Sequence, residues 1–273
     1  RAASFTSFIQ RPAIVEAVDC QTSGGVAGNM MPMRFCFFDP ADPPRAAVSV
    51  DGVMPGGLNL SHWPGNRTPP QLKHDLSTGI VLRLLDLPTA ERSRLLAGAD
   101  TVTNNHIDSD GILAVAALLD PALALARRER FLAVARTGDF PVFTDTTALA
   151  IELSLTALTD AAGATGSFAS EAARRQHQYA VALCELPRLL DDPWCHVERI
   201  AAELAQVTAD LAALSAGEVT ITHHTDLSLA IVDSPRPLHR IAVNTAAADC
   251  LRVLHVIRLA RGHLYRLHER VES

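Results

Sequence analysis

The sequence predicts an α/β protein: a Rossmann-like, mainly parallel sheet, then a helical middle region and a small β-rich C-terminal lobe. Three observations carry this expectation. Short apolar runs closed by Pro, Gly or Asp alternate with helix-spaced segments in the first half. Residues 122–214 hold long stretches with apolar residues three and four apart. The last sixty residues return to strand-like runs. Residues 1–160 are expected to form a Rossmann-like metal-binding domain. Residues 161–273 are expected to form a helical segment plus a small α/β lobe, with one continuous domain as the alternative.

The elements follow in order. Residues 1–33, with Gly24-Gly25 and Met30-Met31-Pro32-Met33, read as a partly irregular entry segment. Arg34–Phe38 is a buried strand ended by Pro40, Pro43 and Pro44. Ala46–Val50 is a second strand, closed by Asp51-Gly52, and Leu58–Leu60 a third, entering the turn-rich Ser61-His62-Trp63-Pro64-Gly65-Asn66. A helix from about Leu72 to Leu87 carries Ile80, Leu84 and Leu87 on one stripe, and Pro88 stops it. Glu91–Leu96 is another helix. Ala99–Thr103 reads as a strand and Ile112–Leu119 as the helix after it. Helices are predicted at 122–136, 146–159, 168–190 and 196–214. Val219–Val232 reads as a strand or hairpin. The tail reads strand, helix (Ala246–Leu259), strand (His263–Arg270).

Composition narrows the function classes. Hydrophobic residues make up 48% and charged residues 20%, as in a folded globular chain. A net charge of -6 gives no general attraction to nucleic acid or anionic membrane. Lys73 is the single lysine among 24 basic residues, a bias typical of GC-rich coding sequence. Two Trp and two Tyr leave little for an aromatic nucleic-acid platform. Five scattered cysteines with no CxxC pair argue against a disulfide framework or a structural zinc site, and point to a reducing cytoplasm. No apolar run approaches the roughly 18 residues of a membrane span, and no clear signal peptide follows Arg1.

The segment with most chemistry is Asn104-Asn105-His106-Ile107-Asp108-Ser109-Asp110-Gly111. His106, Asp108 and Asp110 are spaced i, i+2, i+4, so in an extended segment their side chains share one face. An imidazole and two carboxylates there suit Mn²⁺ or Mg²⁺, with Fe²⁺ or Co²⁺ as alternatives. Gly111 would let the chain turn and a ligand approach the backbone. The next helix would point its N-terminal amides at the same place, which favours a bound anion. The bland alternative is that Ser109 or Asp110 caps the helix and His106 is an ordinary loop residue. An EF-hand is excluded on spacing, since the twelfth position would be Ala117 rather than Glu.

The strand followed by His-x-Asp-x-Asp-Gly at 101–111 resembles the first motif of the DHH phosphoesterase superfamily. The resemblance implies a Rossmann-like domain with a smaller substrate-binding C-terminal domain, and a manganese- or magnesium-dependent phosphatase, pyrophosphatase or exonuclease. It implies that His106, Asp108 and Asp110 hold metal. The block Leu60–Asn66 followed by Asp75-Leu76-Ser77-Thr78-Gly79-Ile80 looks like a degenerate Asp-His-His motif with its helix-opening Ser-Thr pair. It lies before the first motif instead of after it, so the chain resembles a circularly permuted relative. By the same resemblance Asp51 corresponds to the lone aspartate of the second motif, and Asp139 or Asp145 to that of the fourth. The likeness covers residues 46–145.

Other residues offer both a chemical and a plain role. His62 sits at a strand-to-loop junction and is either a catalytic acid or further ligand, or a turn histidine. Asp75 is either catalytic or a helix N-cap. Asp139 is a ligand or a turn residue. Asn105, Arg67 and Lys73 are candidate contacts to an anionic small-molecule substrate, with a solvated surface as the plain alternative. His223 and His224 are candidates for substrate binding, although neighbours in a strand face opposite ways. Cys195-His196 would need an oriented base. Arg236, Arg240 and Arg266 could clamp an anion only if they converge.

The first functional expectation is a metal-dependent hydrolase of a phosphate ester or anhydride. The alternatives are another metal-dependent class (a non-haem iron oxygenase, C–N hydrolase or lyase) or a non-catalytic anion- or nucleotide-binding protein. A homodimer is compatible with the sequence.

Overall fold

A computed structural model describes residues 33–55 and 57–269. The entry segment read over residues 1–33 lies, apart from Met33, outside the described residues. The protein is mixed α/β, with a parallel four-stranded sheet and a separate mixed sheet near the C-terminus.

The first sheet is built from β1 (Arg34–Phe35), β2 (Ala47–Val50), β3 (Asn59–Leu60) and, after two helices, β4 (Thr101–Thr103). Their order is β1-β4-β2-β3, and every pair is parallel. Ser49 is level with both Asn59 and Thr103. The C-terminal ends of β2, β3 and β4 are therefore in register, and the loops leaving them emerge along one edge.

Between β3 and β4 lie α1 (Ser77–Asp86) and α2 (Thr89–Leu96). The helix predicted from Leu72 begins only at Ser77, because Pro69 and Pro70 put residues 70–72 into a 3₁₀ turn. After β4 come α3 (Ser109–Leu119), α4 (Pro121–Ala126), α5 (Arg128–Asp139), α6 (Thr146–Ala164) and α7 (Glu171–Asp191). The helix predicted over 122–136 is two, broken at Arg127, whose φ of -117° and ψ of 22° leave the helical range. Helix α3 is buried from Ser109 to Leu118, which explains a sequence apolar all round. Burial of Ile112, Leu113, Val115 and Leu118 contributes about 1.5–3 kcal/mol each. That packing fixes the helix whose first turn carries the motif carboxylates. The principal core draws on residues from Phe37 to Leu190.

The C-terminal part contains α8 (Val197–Ser215), β5 (Thr220–His224), β6 (Leu229–Ser234), α9 (Arg240–Ala246), β7 (Arg252–Arg258) and β8 (His263–Glu269). Strands β5 and β6 form a hairpin, one of the two readings of 219–232. Strand β7 runs parallel to β6, and β8 antiparallel to β7. The helix predicted over Ala246–Leu259 is wrong: α9 ends at Ala246 and 252–258 is strand. Val253, His255 and Ile257 form its buried row. The period is 2, but a histidine in the middle of that row hides it. His255 is buried because it bonds Ser234, Nε2 to Oγ at 2.8 Å. Ile200, Val207 and Ile241 pack against Leu149, Ala150 and Leu153 of α6, joining this part to the rest. Among the described residues no helix is long and apolar enough to cross a membrane.

Candidate metal centre

Three loops leave the aligned strand ends, and each delivers an ionisable side chain to the same place. Asp51 follows β2, His62 follows β3, and His106, Asp108 and Asp110 follow β4. The C-terminal edge of parallel strands is where open α/β sheets bind ligands, because the loops there are free to converge. Asp139, the last residue of α5, reaches the group from the helical side.

Asp51, His106 and Asp108 offer ligand atoms within 4.8 Å of one another, and so do Asp51, His62 and Asp110. Asp51 belongs to both sets. His106 Nε2 is 3.0 Å from Asp51 Oδ2 and 3.1 Å from Asp108 Oδ2. Its other nitrogen, Nδ1, is 3.0 Å from Asn105 Oδ1, which leaves Nε2 aimed at the carboxylates. His62 stands between two aspartates, Nδ1 3.7 Å from Asp110 and Nε2 3.8 Å from Asp139. Both spacings exceed a hydrogen bond. His62 Nδ1 and Asp51 Oδ2 are buried without a hydrogen-bond partner; the contact of Asp51 with His106 is close enough for an ion pair but not aligned for a bond. Orphaned buried polar atoms are costly, and two aimed into one cluster of nitrogen and oxygen donors fit a cation. These residues could hold a metal ion.

The electrostatics match. Burial raises the Asp51 carboxyl well above its usual range, and repulsion from Asp108 and Asp110 raises it further. Burial and repulsion from Asp110, Asp108 and Asp51 push Asp139 up to about 9. Burial also raises Asp110, with His62 opposing. For Asp108, burial is outweighed by His106 and the Gly111 amide, and its carboxyl is lowered. Burial works against the His106 imidazolium, but the adjacent Asp108 and Asp51 carboxylates raise it to about 10. Burial lowers His62 despite the surrounding carboxylates. Excess buried negative charge of this kind is relieved by a bound cation.

The backbone around the cluster is unusual. Asp51 has φ 55°, a left-handed conformation costing about 1–2 kcal/mol for a non-glycine residue. Asp108 is extended and caps α3, accepting the Gly111 N–H at 2.8 Å. Asp110 therefore lies in the first helical turn, and the shared-face argument holds for His106 and Asp108 but not for Asp110. Asp110 instead reaches across to α1, accepting the Ser77 and Thr78 amides at 2.6 and 2.8 Å. Ser77 Oγ donates to Asp51 Oδ1 at 2.9 Å. The expected anion seat at the α3 N-terminus is partly filled by the protein's own carboxylate, since the Gly111 amide is taken. Gly111 is not a turn residue either. A Cβ there would collide with Asn104 Nδ2 and stand 2.8 Å from Tyr179 Oη and 3.1 Å from Asp51 Oδ2.

Sequence reasoning missed the supporting groups. Tyr179 Oη accepts from Asn104 Nδ2 at 2.9 Å and donates to the His106 carbonyl at 3.0 Å. Ser109 Oγ donates to buried Glu152, whose carboxyl burial pushes up. Tyr179 and Glu152 lie on α7 and α6, and nothing local in the sequence marks them. Trp63, 43% exposed, stands at the rim with its ring 5.3 Å from His106.

Other candidates fall elsewhere. Asp75 is exposed in the turn before α1. It is not the helix cap, which is Leu76 without a side-chain bond, and it lies outside both ligand sets. Asn105 orients His106. Arg67 and Lys73 are exposed. Asp145 caps α6 and pairs with Arg130 at 2.7 Å, which leaves Asp139 as the aspartate at the cluster. His223 and His224 sit at the end of β5, where His223 joins a separate group with Asp249 and Cys250. His196 pairs with Glu185. Arg236 is held by Asp210, and Arg240 lies by Glu152.

No curated protein and no solved structure matches the chain. A family model described as a family of unknown function, DUF6687, matches residues 31–272. The match spans nearly the whole sequence, both sheets and all the residues of the centre, and the chain belongs to the DUF6687 family.

Proposed function

We propose that this protein is a divalent-metal-dependent hydrolase of a phosphate ester or anhydride, acting on a small molecule or nucleotide in the cytoplasm. The observation that carries the metal reading is the pair of ligand sets sharing Asp51. A carboxylate common to two sets would let Asp51 help hold a cation in either set. Oxygen and imidazole donors without sulfur favour Mn²⁺ or Mg²⁺. The reaction class is supported by the likeness of residues 101–111 to the first DHH phosphoesterase motif. The convergence of Asp51, His62 and Asp139 on that segment is what a permuted relative would need.

The residues that would hold the cations are Asp51, His106, Asp108, Asp110, His62 and Asp139. Bound there, a divalent cation would acidify a water and polarise a phosphoryl oxygen. The chain's own part is positioning and proton handling. Asn105 fixes the His106 ring, and the Tyr179–Asn104 pair fixes the backbone that carries it. His62, kept neutral by burial, can take up or release a proton at the ring nitrogen left free by ligation.

The test is a phosphodiesterase and pyrophosphatase screen in Mn²⁺ with wild type and Asp108→Asn. Metal-dependent turnover that disappears in a folded Asp108→Asn protein is expected. Turnover unchanged by the substitution would sink the assignment.

A further inference from the structure

The C-terminal sheet carries a second set of ligand-type side chains with different chemistry. His223 lies on edge strand β5, paired with buried Ala230, so its side chain faces the inner side of the sheet. Asp249 and Cys250 lie in the turn between α9 and β7, a turn closed by the Cys250 amide on the Ala247 carbonyl. Cys250 is 3% exposed, whereas His223 and Asp249 reach solvent.

His223 Nδ1 is 3.7 Å from Cys250 Sγ and 3.6 Å from Asp249 Oδ2. The nitrogen–oxygen spacing is too long for a hydrogen bond. Both neighbours also face the same ring nitrogen. A nucleophilic triad needs them on opposite nitrogens, so that one orients the ring while the other gives up its proton. Cys250 Sγ is within hydrogen-bond reach of His223 Nδ1, and the three donor atoms together also suit ligands around an ion. In a tetrahedral zinc site, with Zn–S about 2.3 Å and Zn–N and Zn–O about 2.0–2.2 Å, sulfur and nitrogen stand about 3.5–3.6 Å apart and nitrogen and oxygen about 3.3–3.5 Å. The observed spacings are within a few tenths of an ångström of these.

We propose that His223, Asp249 and Cys250 form a zinc site separate from the aspartate-rich centre, with the remaining position open to solvent. Thiolate and imidazole select a softer ion than the all-oxygen-and-imidazole centre does. Binding releases the Cys250 thiol proton to solvent as the sulfur ligates. The ion would tie the edge strand β5 to the turn that starts β7, clamping the hairpin to the lobe's core. This site does not depend on the phosphoesterase reading.

The test is titration of the metal-stripped full chain with Co²⁺, followed by displacement with Zn²⁺. Wild type is expected to develop a near-ultraviolet thiolate-to-cobalt charge-transfer band, which Zn²⁺ abolishes. The band should vanish in Cys250→Ser, weaken at least about tenfold in affinity in His223→Ala, since even an outer-shell change costs about 10–100-fold, and persist in Asp51→Asn. No band in wild type, or a band that survives Cys250→Ser, overturns the proposal. If Cys250→Ser does not fold, His223→Ala on the exposed strand decides: unchanged cobalt affinity there overturns it.

Discussion

Asp51→Asn distinguishes a metal ligand from a structural carboxylate, because its two expected effects have opposite signs. Asp51 and Asp110 are both fully buried, with ligand oxygens within 4.8 Å of each other. Two unit charges at that spacing repel by about 3.5 kcal/mol at an effective dielectric of about 20. Proton uptake relieves part of this, since the Asp51 carboxyl is raised well above its usual range by burial and by its neighbours. A residual cost of about 1–3 kcal/mol is therefore carried by the metal-free protein. Asparagine removes that charge, keeps an acceptor for Ser77 Oγ, and tolerates the φ of 55° at this position. Without metal the variant is expected to be more stable than wild type by about 1–3 kcal/mol, or roughly 2–4 °C in Tm per kcal/mol. With Mn²⁺ the order should reverse. Wild type gains about 2.7 kcal/mol at a free metal concentration 100 times its Kd, and the variant little. The assay is thermal and urea unfolding in chelator and across a Mn²⁺ series. A variant that is less stable in chelator yet gains the full Mn²⁺ increment would refute the reasoning.

Two further expectations concern groups behind the centre and in the second sheet. Tyr179→Phe strands Asn104 Nδ2 and the His106 carbonyl; it should cost about 1–3 kcal/mol of stability and about 10–100-fold in metal affinity, and unchanged affinity in a metal titration would show that the pair does not position His106. His255 is lowered from 6.5 to about 4 by burial, with Arg266 and His268 adding to the effect. Ser234 Oγ gives its proton to the Arg236 carbonyl, so His255 Nε2 donates to Ser234. Only the unfolded chain protonates this group between pH 6.5 and 4, so stability falls as pH drops through that window and is insensitive to His255 above it. Urea unfolding should show wild type losing up to about 1.4 kcal/mol per pH unit more than His255→Gln there; parallel curves would contradict it.

The sequence made the fold class and the focal segment readable for a physical reason. Apolar runs ended by Asp51-Gly52, by Ser61-His62 and by Asn104-Asn105 mark strand ends, and in a parallel sheet those ends collect on one edge. Local pattern could not give the register that brings Ser49 level with Asn59 and Thr103. It also could not give the conformation of Asp108, which caps α3 and so moves Asp110 into the helix. Tyr179 is 73 residues from the carbonyl it supports, a contact that only the tertiary packing of α7 creates. The misread tail shows the opposite failure. There, period 2 is present in Val253, His255 and Ile257, but it is disguised by a polar residue whose burial depends on the distant Ser234. The Cys250 group has no metal-site spacing in the sequence, because its side chains come from a strand and a turn 27 residues apart.

Crystals grown with Mn²⁺ would locate the cation by its anomalous scattering. A peak at bonding distance from Asp51, His106 Nε2 and Asp108 is expected, with a second toward His62 and Asp110 at full loading. Full Mn²⁺ occupancy elsewhere on the protein, with Asp51 left unligated, would contradict the proposed centre.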